Sequence, residues 1–266
     1  MNHSPLISII TVVLNGEKFL EGAIKSVLSQ TYQNFEYIII DGGSYDRSIE
    51  IIKKYANEKT FWISEPDKGI SDAFNKGISK ARGEVIGLLN YDDWYEKNTL
   101  EKVVEAFNDP EVDIICGASR FWNKDNIINI ATSDLSRIAR ETSIHHSSVF
   151  IKKEIYELHG LYQTQYKYAM DYELLLRYYF KGVKFQQIQI ILSNRRLDGI
   201  SYRNKNRALF ETLKIRKIYF PSWRVYIHFI YIWIKDSLGR IMKMPPFLKL
   251  YQYYWKKKNL NEGFSK

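Results

Sequence analysis

"EVIGLLNYDDWYE", residues 84–96, decides how this chain is read. An apolar run from Val85 to Leu89 stops at Asn90, and two adjacent carboxylates, Asp92 and Asp93, follow among aromatic rings. A short apolar run closed by a polar turn reads as a buried strand. Adjacent carboxylates repel each other and resist burial. On the residues alone two readings stand open. One Asp caps the helix that begins near "WYEKNTLEKVV", or the pair shares a hard cation and a ribose. Capping accounts well for one Asp and poorly for two.

Working outward, "LISIITVV" (6–13), "FEYIIID" (35–41), "TFWIS" (60–64) and "VDIIC" (112–116) join the opening run as strand candidates. Several are continuously apolar, as parallel strands covered on both faces are. Between them "EKFLEGAIKSVLSQ", "RSIEIIKKYA", "ISDAFNKGISKA" and "NTLEKVVEAF" are amphipathic helices. Strand and helix alternating at this spacing predict an α/β fold: a Rossmann-like, mostly parallel central sheet flanked by helices. Ligands of such sheets sit at the carboxyl ends of the strands, where Asp41 and Asp92–Asp93 fall. Past residue 117 the rhythm changes. "SRFWNKDNIINIATS" predicts a hairpin or loop, "HHSSVFIKK" a strand, "DYELLLRYYFKG" a helix stopped by Gly182, and "VKFQQIQIILSNRR" another strand.

The 266 residues suffice for one large domain with an appendage. Charge is uneven. Residues 203–266 hold 15 Lys or Arg against 3 Asp or Glu, while residues 1–202 hold 24 against 27. The chain thus divides into a slightly acidic body, 1–202, and a basic, aromatic, helical tail, 203–266, suited to an anionic surface. A single cysteine, Cys116, excludes an internal disulfide and fits a reducing cytoplasm. The N-terminal apolar stretch lacks the basic flank and cleavage site of a secretion signal and reads as the first strand. No P-loop, dinucleotide fingerprint, zinc spacing or nucleophile elbow occurs.

The order of the motifs resolves the open pair. "ISIITVVLNGEKFLEGAIKSVLSQTYQNFEYIIIDGGSYDRS", "SEPDKGISDAFNKGISKARGEVIGLLNYDDWY", "HHSSVFIKK", "MDYELLLRYYFKG" and "RRLDGIS" together resemble the family 2 glycosyltransferases, in the branch making bacterial surface polysaccharides. The resemblance covers roughly residues 6–202 and implies a GT-A fold. It implies that Val12, Leu14 and Asn15 cradle the nucleotide base and that Asp41 hydrogen-bonds it. Lys68 would meet phosphate, Asp92 the ribose and Asp93 a divalent Mg²⁺ or Mn²⁺. Asp171 matches the catalytic base of inverting transfer, although its position also suits a helix cap. His146 would lie near the acceptor or diphosphate, and Arg196, with Arg195, over the diphosphate. Four departures from the family pattern stand out: Asn90 for an Asp, Leu14 for an aromatic, "DGG" for "DDG", and no His in "RRLDGIS".

In the tail, Val225 to Ile234 is an uncharged stretch too short to span a bilayer. With Arg224 and Lys235 beside it, it predicts a helix lying in the membrane interface; a core or homodimer helix is the plainer alternative. "YQYYWKKKN" (251–259) repeats the theme. The leading expectation is therefore an inverting, metal-dependent transferase. It would move a sugar from a nucleotide-sugar donor, UDP-linked, to a lipid-linked saccharide in polysaccharide or lipopolysaccharide synthesis. The protein would be cytoplasmic, peripheral on the inner face of the membrane. The alternatives are a non-catalytic nucleotide-sugar-binding or scaffolding member, and a nucleic-acid binder, which the acidic body disfavours.

Overall fold

Each apolar run becomes a strand of one sheet in the computed structural model, which describes residues 4–197, 204–221, 223–227, 229–230 and 234. Strands β1 (Ile7–Val13), β2 (Phe35–Asp41), β3 (Thr60–Ser64) and β4 (Val85–Asn90) lie parallel in the order β3-β2-β1-β4. Helices α1 (Leu20–Leu28), α2 (Ser48–Tyr55) and α3 (Ile70–Lys80) connect them. Every residue of β1 and β2 is buried because helices cover both faces. Ile7, Ile9 and Val13 share a core with Leu20, Ala23, Ile24 and Val27 of α1. Ile10, on the other face, meets α3: a Cβ at Gly77 would come within 2.4 Å of its Cγ2, so glycine lets that helix lie against the sheet.

Register positions the site. Val13 pairs with Asp41 and Val12 with Asn90, so three strands end level along one carboxyl edge.

The second half comprises β5 (Trp94–Tyr95), α4 (Thr99–Ala106), β6 (Ile114–Asn123), β7 (Asn126–Thr132), β8 (Val149–Lys152), α5 (Lys153–His159), α6 (Met170–Phe180) and β9 (Phe185–Arg196). The sheet continues β4-β8-β6-β9-β5, with β7 hairpinned on β6. Here the expectation of a mostly parallel sheet needs refining. Six of the nine strands do run the same way, yet only four of the eight described pairings are parallel. Of the other four, β7 on β6 and β5 on β9 account for two, and the rest belong to β8, which enters antiparallel between β4 and β6. Gly87 makes room for it: a Cβ there would stand 2.4 Å from the Phe150 ring.

Helix α7 (Lys205–Tyr219) follows, and two compact units, Met1–Thr212 and Leu213–Lys266, divide within it. Residues 223–227 are also helical. The segments 198–203 and 251–259 lie outside the described residues. Cys116 is a free thiol in the core, and burial pushes its pKa far up, which leaves it inert.

Candidate active site

The carboxyl edge carries two clusters built differently. The first surrounds Asp41, whose side chain is wholly buried. Its Oδ2 accepts from the backbone N–H groups of Gly43 (3.1 Å) and Ser44 (3.0 Å) and from the Ser64 hydroxyl (2.6 Å). Its Oδ1 accepts from the Ser44 hydroxyl. Ser44 Oγ in turn accepts from the N–H of Asn15 at 2.8 Å. Asn15 stands in the left-handed region (φ 54°), which Asn tolerates, and its Oδ1 accepts from the Tyr45 N–H at 3.0 Å. Gly16 N–H donates to Ser48 Oγ. The turn after β1 is thereby sewn to the turn after β2. Leu14 projects from it, 51% exposed, while Val12 is buried within β1.

Asp67 joins this cluster unannounced by the sequence. Its Oδ2 lies 2.3 Å from where a Cβ of residue 42 would be, so any larger residue there would require the Asp67 carboxylate to swing aside. Lys68, next in the chain, is exposed, and its ammonium has no partner among the described residues. The structure brings Lys68 to neither cluster through any polar contact.

The second cluster follows β4. The Asp93 N–H closes a turn on the Asn90 carbonyl (3.1 Å). Asp93 is 3% exposed, and its Oδ2 accepts from the Ser147 hydroxyl at 2.6 Å with Arg195 Nε at 3.7 Å. Its Oδ1 accepts from the Arg196 N–H at 3.3 Å. Burial, and then the charge of Asp93, push the neighbouring Asp92 carboxyl up to about 7, against the pull of Arg195 and Arg196. The Arg196 guanidinium lies between the rings of Phe19 and Trp94, 4.4 and 4.7 Å from their centroids.

His146 links this turn to Asp171. Asn90 Nδ2 lies 3.0 Å and Ser147 Oγ 3.3 Å from His146 Nε2, and His146 Nδ1 lies 3.4 Å from Asp171 Oδ2. Burial holds His146 below the ordinary histidine range, and Asp171 opposes that shift. Among the described residues Asp171 Oδ1, Asn90 Oδ1, Arg195 Nε and Arg196 Nε are buried with no hydrogen-bond partner in reach. Buried polar atoms are nearly always paired, so four such atoms around one turn make it a candidate ligand site. The Tyr162 phenol also interacts with the Asp171 carboxylate: burial, and then that charge, hold the phenol's pKa well above its ordinary value.

The capping readings fall away. Asn98 occupies the N-cap of α4 and Ala169 that of α6, and neither the Asp pair nor Asp171 caps a helix. Asp171 is the second residue of α6, while Glu173 points elsewhere and pairs with Arg177 at 2.8 Å.

The glycosyl transferase family 2 model matches residues 8–166, more than half of the chain. This chain belongs to glycosyltransferase family 2. An uncharacterized glycosyltransferase of Rickettsia typhi is 28% identical over 207 residues, covering 73% of this chain and 64% of the relative, so the chain spans less than two thirds of that protein. A PGL/p-HBAD biosynthesis glycosyltransferase of Mycobacterium tuberculosis is 28% identical over 65% of this chain and 70% of its own length. The mannosyltransferase of Pyrobaculum calidifontis solved with GDP-Man and Mn²⁺ superposes at a TM-score of 0.69, with 14% identity over 93% of this chain and 83% of that one. S. aureus TarS with UDP-GlcNAc superposes at 0.64, with 14% identity over 90% and 73%. The likeness identifies the GT-A fold.

Among the described residues no group of three or more His, Cys, Asp or Glu forms a metal cage. The family 2 site nevertheless fits a hard divalent ion. Mg²⁺-type sites use one or two carboxylates and complete the shell with water and substrate phosphate. Asp92 and Asp93 are the carboxylates that could hold such an ion; burial, and then the charge of Asp93, raise Asp92. Sequence reasoning missed Ser147, Phe19 and Trp94. Ser147 adjoins the histidine pair and could have been singled out there; the aromatic sandwich joins residues 177 positions apart in sequence and left no local signal.

Proposed function

We propose that this family 2 member transfers a hexosyl group, with inversion, from a nucleoside diphosphate sugar to a saccharide acceptor carried on a lipid. The observation that carries the reading is the orphaned Oδ1 of Asp171, joined through His146 and Asn90 to the turn bearing Asp92 and Asp93. An acceptor hydroxyl is a weak nucleophile until a base within hydrogen-bond reach takes its proton. Asp171 Oδ1 takes that proton as the hydroxyl oxygen bonds to the anomeric carbon. The bond from that carbon to the diphosphate breaks, its electron pair leaves with the diphosphate, and a single in-line displacement inverts the centre.

Asp93, with Asp92 beside it, would hold Mg²⁺ or Mn²⁺, which when bound neutralises charge developing on the diphosphate. Asp92 also faces the ribose. Arg195 and Arg196 close on the phosphates, with Lys68 reaching in from its exposed position. Val12, Leu14 and Asn15 frame the base, Leu14 presenting the apolar surface. The buried, saturated carboxylate of Asp41 favours an indirect part: it fixes the 43–44 turn, and a base reaches Oδ1 once the Ser44 hydroxyl turns away. A uracil nucleotide and a lipid acceptor are supported by UDP-GlcNAc in the TarS complex and by a cholesterol galactosyltransferase of Borreliella burgdorferi, 35% identical over 50% of this chain and 37% of its own length.

We extend the reading to the tail. Trp223, Ile227, Ile230 and Ile234 are exposed and fall three or four apart, on one helical stripe. Among the described residues no helix is long and apolar enough to cross a membrane. The stripe, with the basic residues around it, suits the anionic inner face of the cell membrane and a role in polysaccharide synthesis there. Flotation with phosphatidylglycerol vesicles should carry the protein upward; dimerisation without flotation would assign the stripe to a second copy.

The deciding experiment is a screen of UDP-, GDP- and dTDP-sugars for metal-dependent thermal stabilisation and nucleotide release. One UDP-sugar should stabilise and turn over with Mn²⁺ or Mg²⁺. Binding with no turnover by any acceptor extract would favour the non-catalytic alternative, and no binding at all would overturn the reading.

A further inference from the structure

Helix α6 begins without a cap of its own. Its N-cap residue, Ala169, has no side chain that could accept a hydrogen bond, and the three N–H groups of residues 167–169 run up to a helix whose second residue is Asp171. Those donors are met by α7. The carboxylate of Glu211 accepts from the N–H of Tyr168 at 2.7 Å, of Ala169 at 2.9 Å, and of Lys167 at 3.1 Å to each oxygen. One turn earlier on the same helix, Arg207 Nη1 donates to the Tyr168 phenol at 3.0 Å. From the opposite side Ser71 Oγ of α3 lies 3.1 Å from the Tyr166 carbonyl and 2.9 Å from Met170 Sδ. The segment that delivers Asp171 is thus gripped from two elements far away in sequence.

Three backbone donors converging on one carboxylate is more than a surface contact. Charge-assisted bonds to N–H groups are among the stronger hydrogen bonds, and a negative group ahead of a helix also complements its dipole. Surface ion pairs nearby would tolerate loss; this contact fixes backbone.

We propose that Glu211 is a positioning residue for the base: by clamping residues 167–169 it holds the first turn of α6 so that Asp171 Oδ1 faces the cleft. The inference rests on the reading of Asp171 as base. It makes the start of the C-terminal helix part of the catalytic apparatus, although no atom of Glu211 touches substrate.

The test compares Glu211→Ala, Glu211→Gln and Asp171→Asn in the full chain, following UDP release from UDP-glucose, UDP-galactose and UDP-N-acetylglucosamine with Mn²⁺, alongside UDP–Mn²⁺ affinity. Misplacing a catalytic group by about 1 Å costs roughly 10²-fold, so Glu211→Ala should lower kcat by about 10- to 100-fold. KM and UDP affinity should hold, and Glu211→Gln, which keeps an acceptor oxygen, should recover much of the loss. In an Asp171→Asn background Glu211→Ala should cost nothing more. Full kcat in Glu211→Ala beside an inactive Asp171→Asn would overturn this inference alone. A fall in kcat matched by an equal loss of UDP affinity would assign Glu211 a merely structural part and overturn it too. Normal transfer by Asp171→Asn would remove the base reading, and the inference with it.

Discussion

The turns after β2 and β4 both place a buried carboxylate, Asp41 and Asp93, at the carboxyl edge of the sheet, and both meet its two oxygens from within; they differ in the polar atoms around it. At Asp41 both oxygens are met from within: two backbone N–H groups and two hydroxyls surround a carboxylate with no exposed surface. Around the turn after β4, Asn90 Oδ1, Asp171 Oδ1 of α6 and the Nε atoms of Arg195 and Arg196 of β9 are buried without hydrogen-bond partners among the described residues. Each unmet buried group costs about 1–3 kcal/mol. Folding alone would have selected against such a concentration. The first turn uses charge to fix backbone; on the function proposed above, the surroundings of the second keep hydrogen-bonding capacity for a ligand.

The largest expected effect tests the second turn. Asp171→Asn keeps the shape but removes the proton acceptor, and general-base catalysis is worth about 10²–10⁴-fold. Transfer should fall by that factor while calorimetric UDP–Mn²⁺ affinity is retained; undiminished transfer would break the contrast. Next comes the carboxylate pair. Asp93→Ala should abolish metal-dependent UDP binding. Ser147→Ala, which strips the hydroxyl from Asp93 Oδ2, should weaken it by about 10- to 100-fold, the usual cost of losing a group that orients a metal ligand. Equal UDP affinity with and without Mn²⁺ in the unaltered protein would remove the metal from the account.

The same contrast explains what the sequence disclosed. Continuous apolar runs in β1, β2 and β4 carried the parallel half, because burial on both faces leaves a plain signature. The edge position of Asp41 and Asp92–Asp93 followed from where those runs stop. The antiparallel entry of β8 did not, since four residues, Val149–Lys152, carry no mark of direction or neighbour. Asp171 was singled out by family resemblance, whereas its freedom from capping required the backbone: the helix begins at Met170, one residue before it. The Asn90–His146–Asp171 connection spans 81 residues and depends on ring orientation, which no local pattern encodes. Asn90, read as a missing acid, turns out to supply an amide that meets the His146 ring.

A smaller effect, on stability, tests the first turn. Asp41→Ala leaves two backbone N–H groups and two hydroxyls unmet in the interior, and should destabilise the protein by about 3 kcal/mol. Asp171→Asn, which keeps a polar side chain of the same shape beside Tyr162 and His146, should shift the urea midpoint less. If instead Asp171→Asn destabilised as much as Asp41→Ala, the two turns would be alike and the distinction would fail.

The smallest effect concerns pH and the histidines between the clusters. Burial, then Arg195 and His146, hold His145 down at about 3, far below its ordinary 6.5, and its ring meets Phe121 edge-on at 5.0 Å. A folded-state pKa below the unfolded one means that the unfolded chain binds the proton first. Stability is therefore full above pH 6.5 and is lost as pH falls from 6.5 toward 3. The slope should be about 1.4 kcal/mol per pH unit for one proton. His146 is shifted in the same direction and adds to it. Urea midpoints measured from pH 7 to pH 5 should decline, and His145→Gln should remove one proton's share of that slope whatever it does to stability at pH 7. An unchanged slope would mean that His145 is solvated and charged in the folded protein rather than held neutral against Phe121.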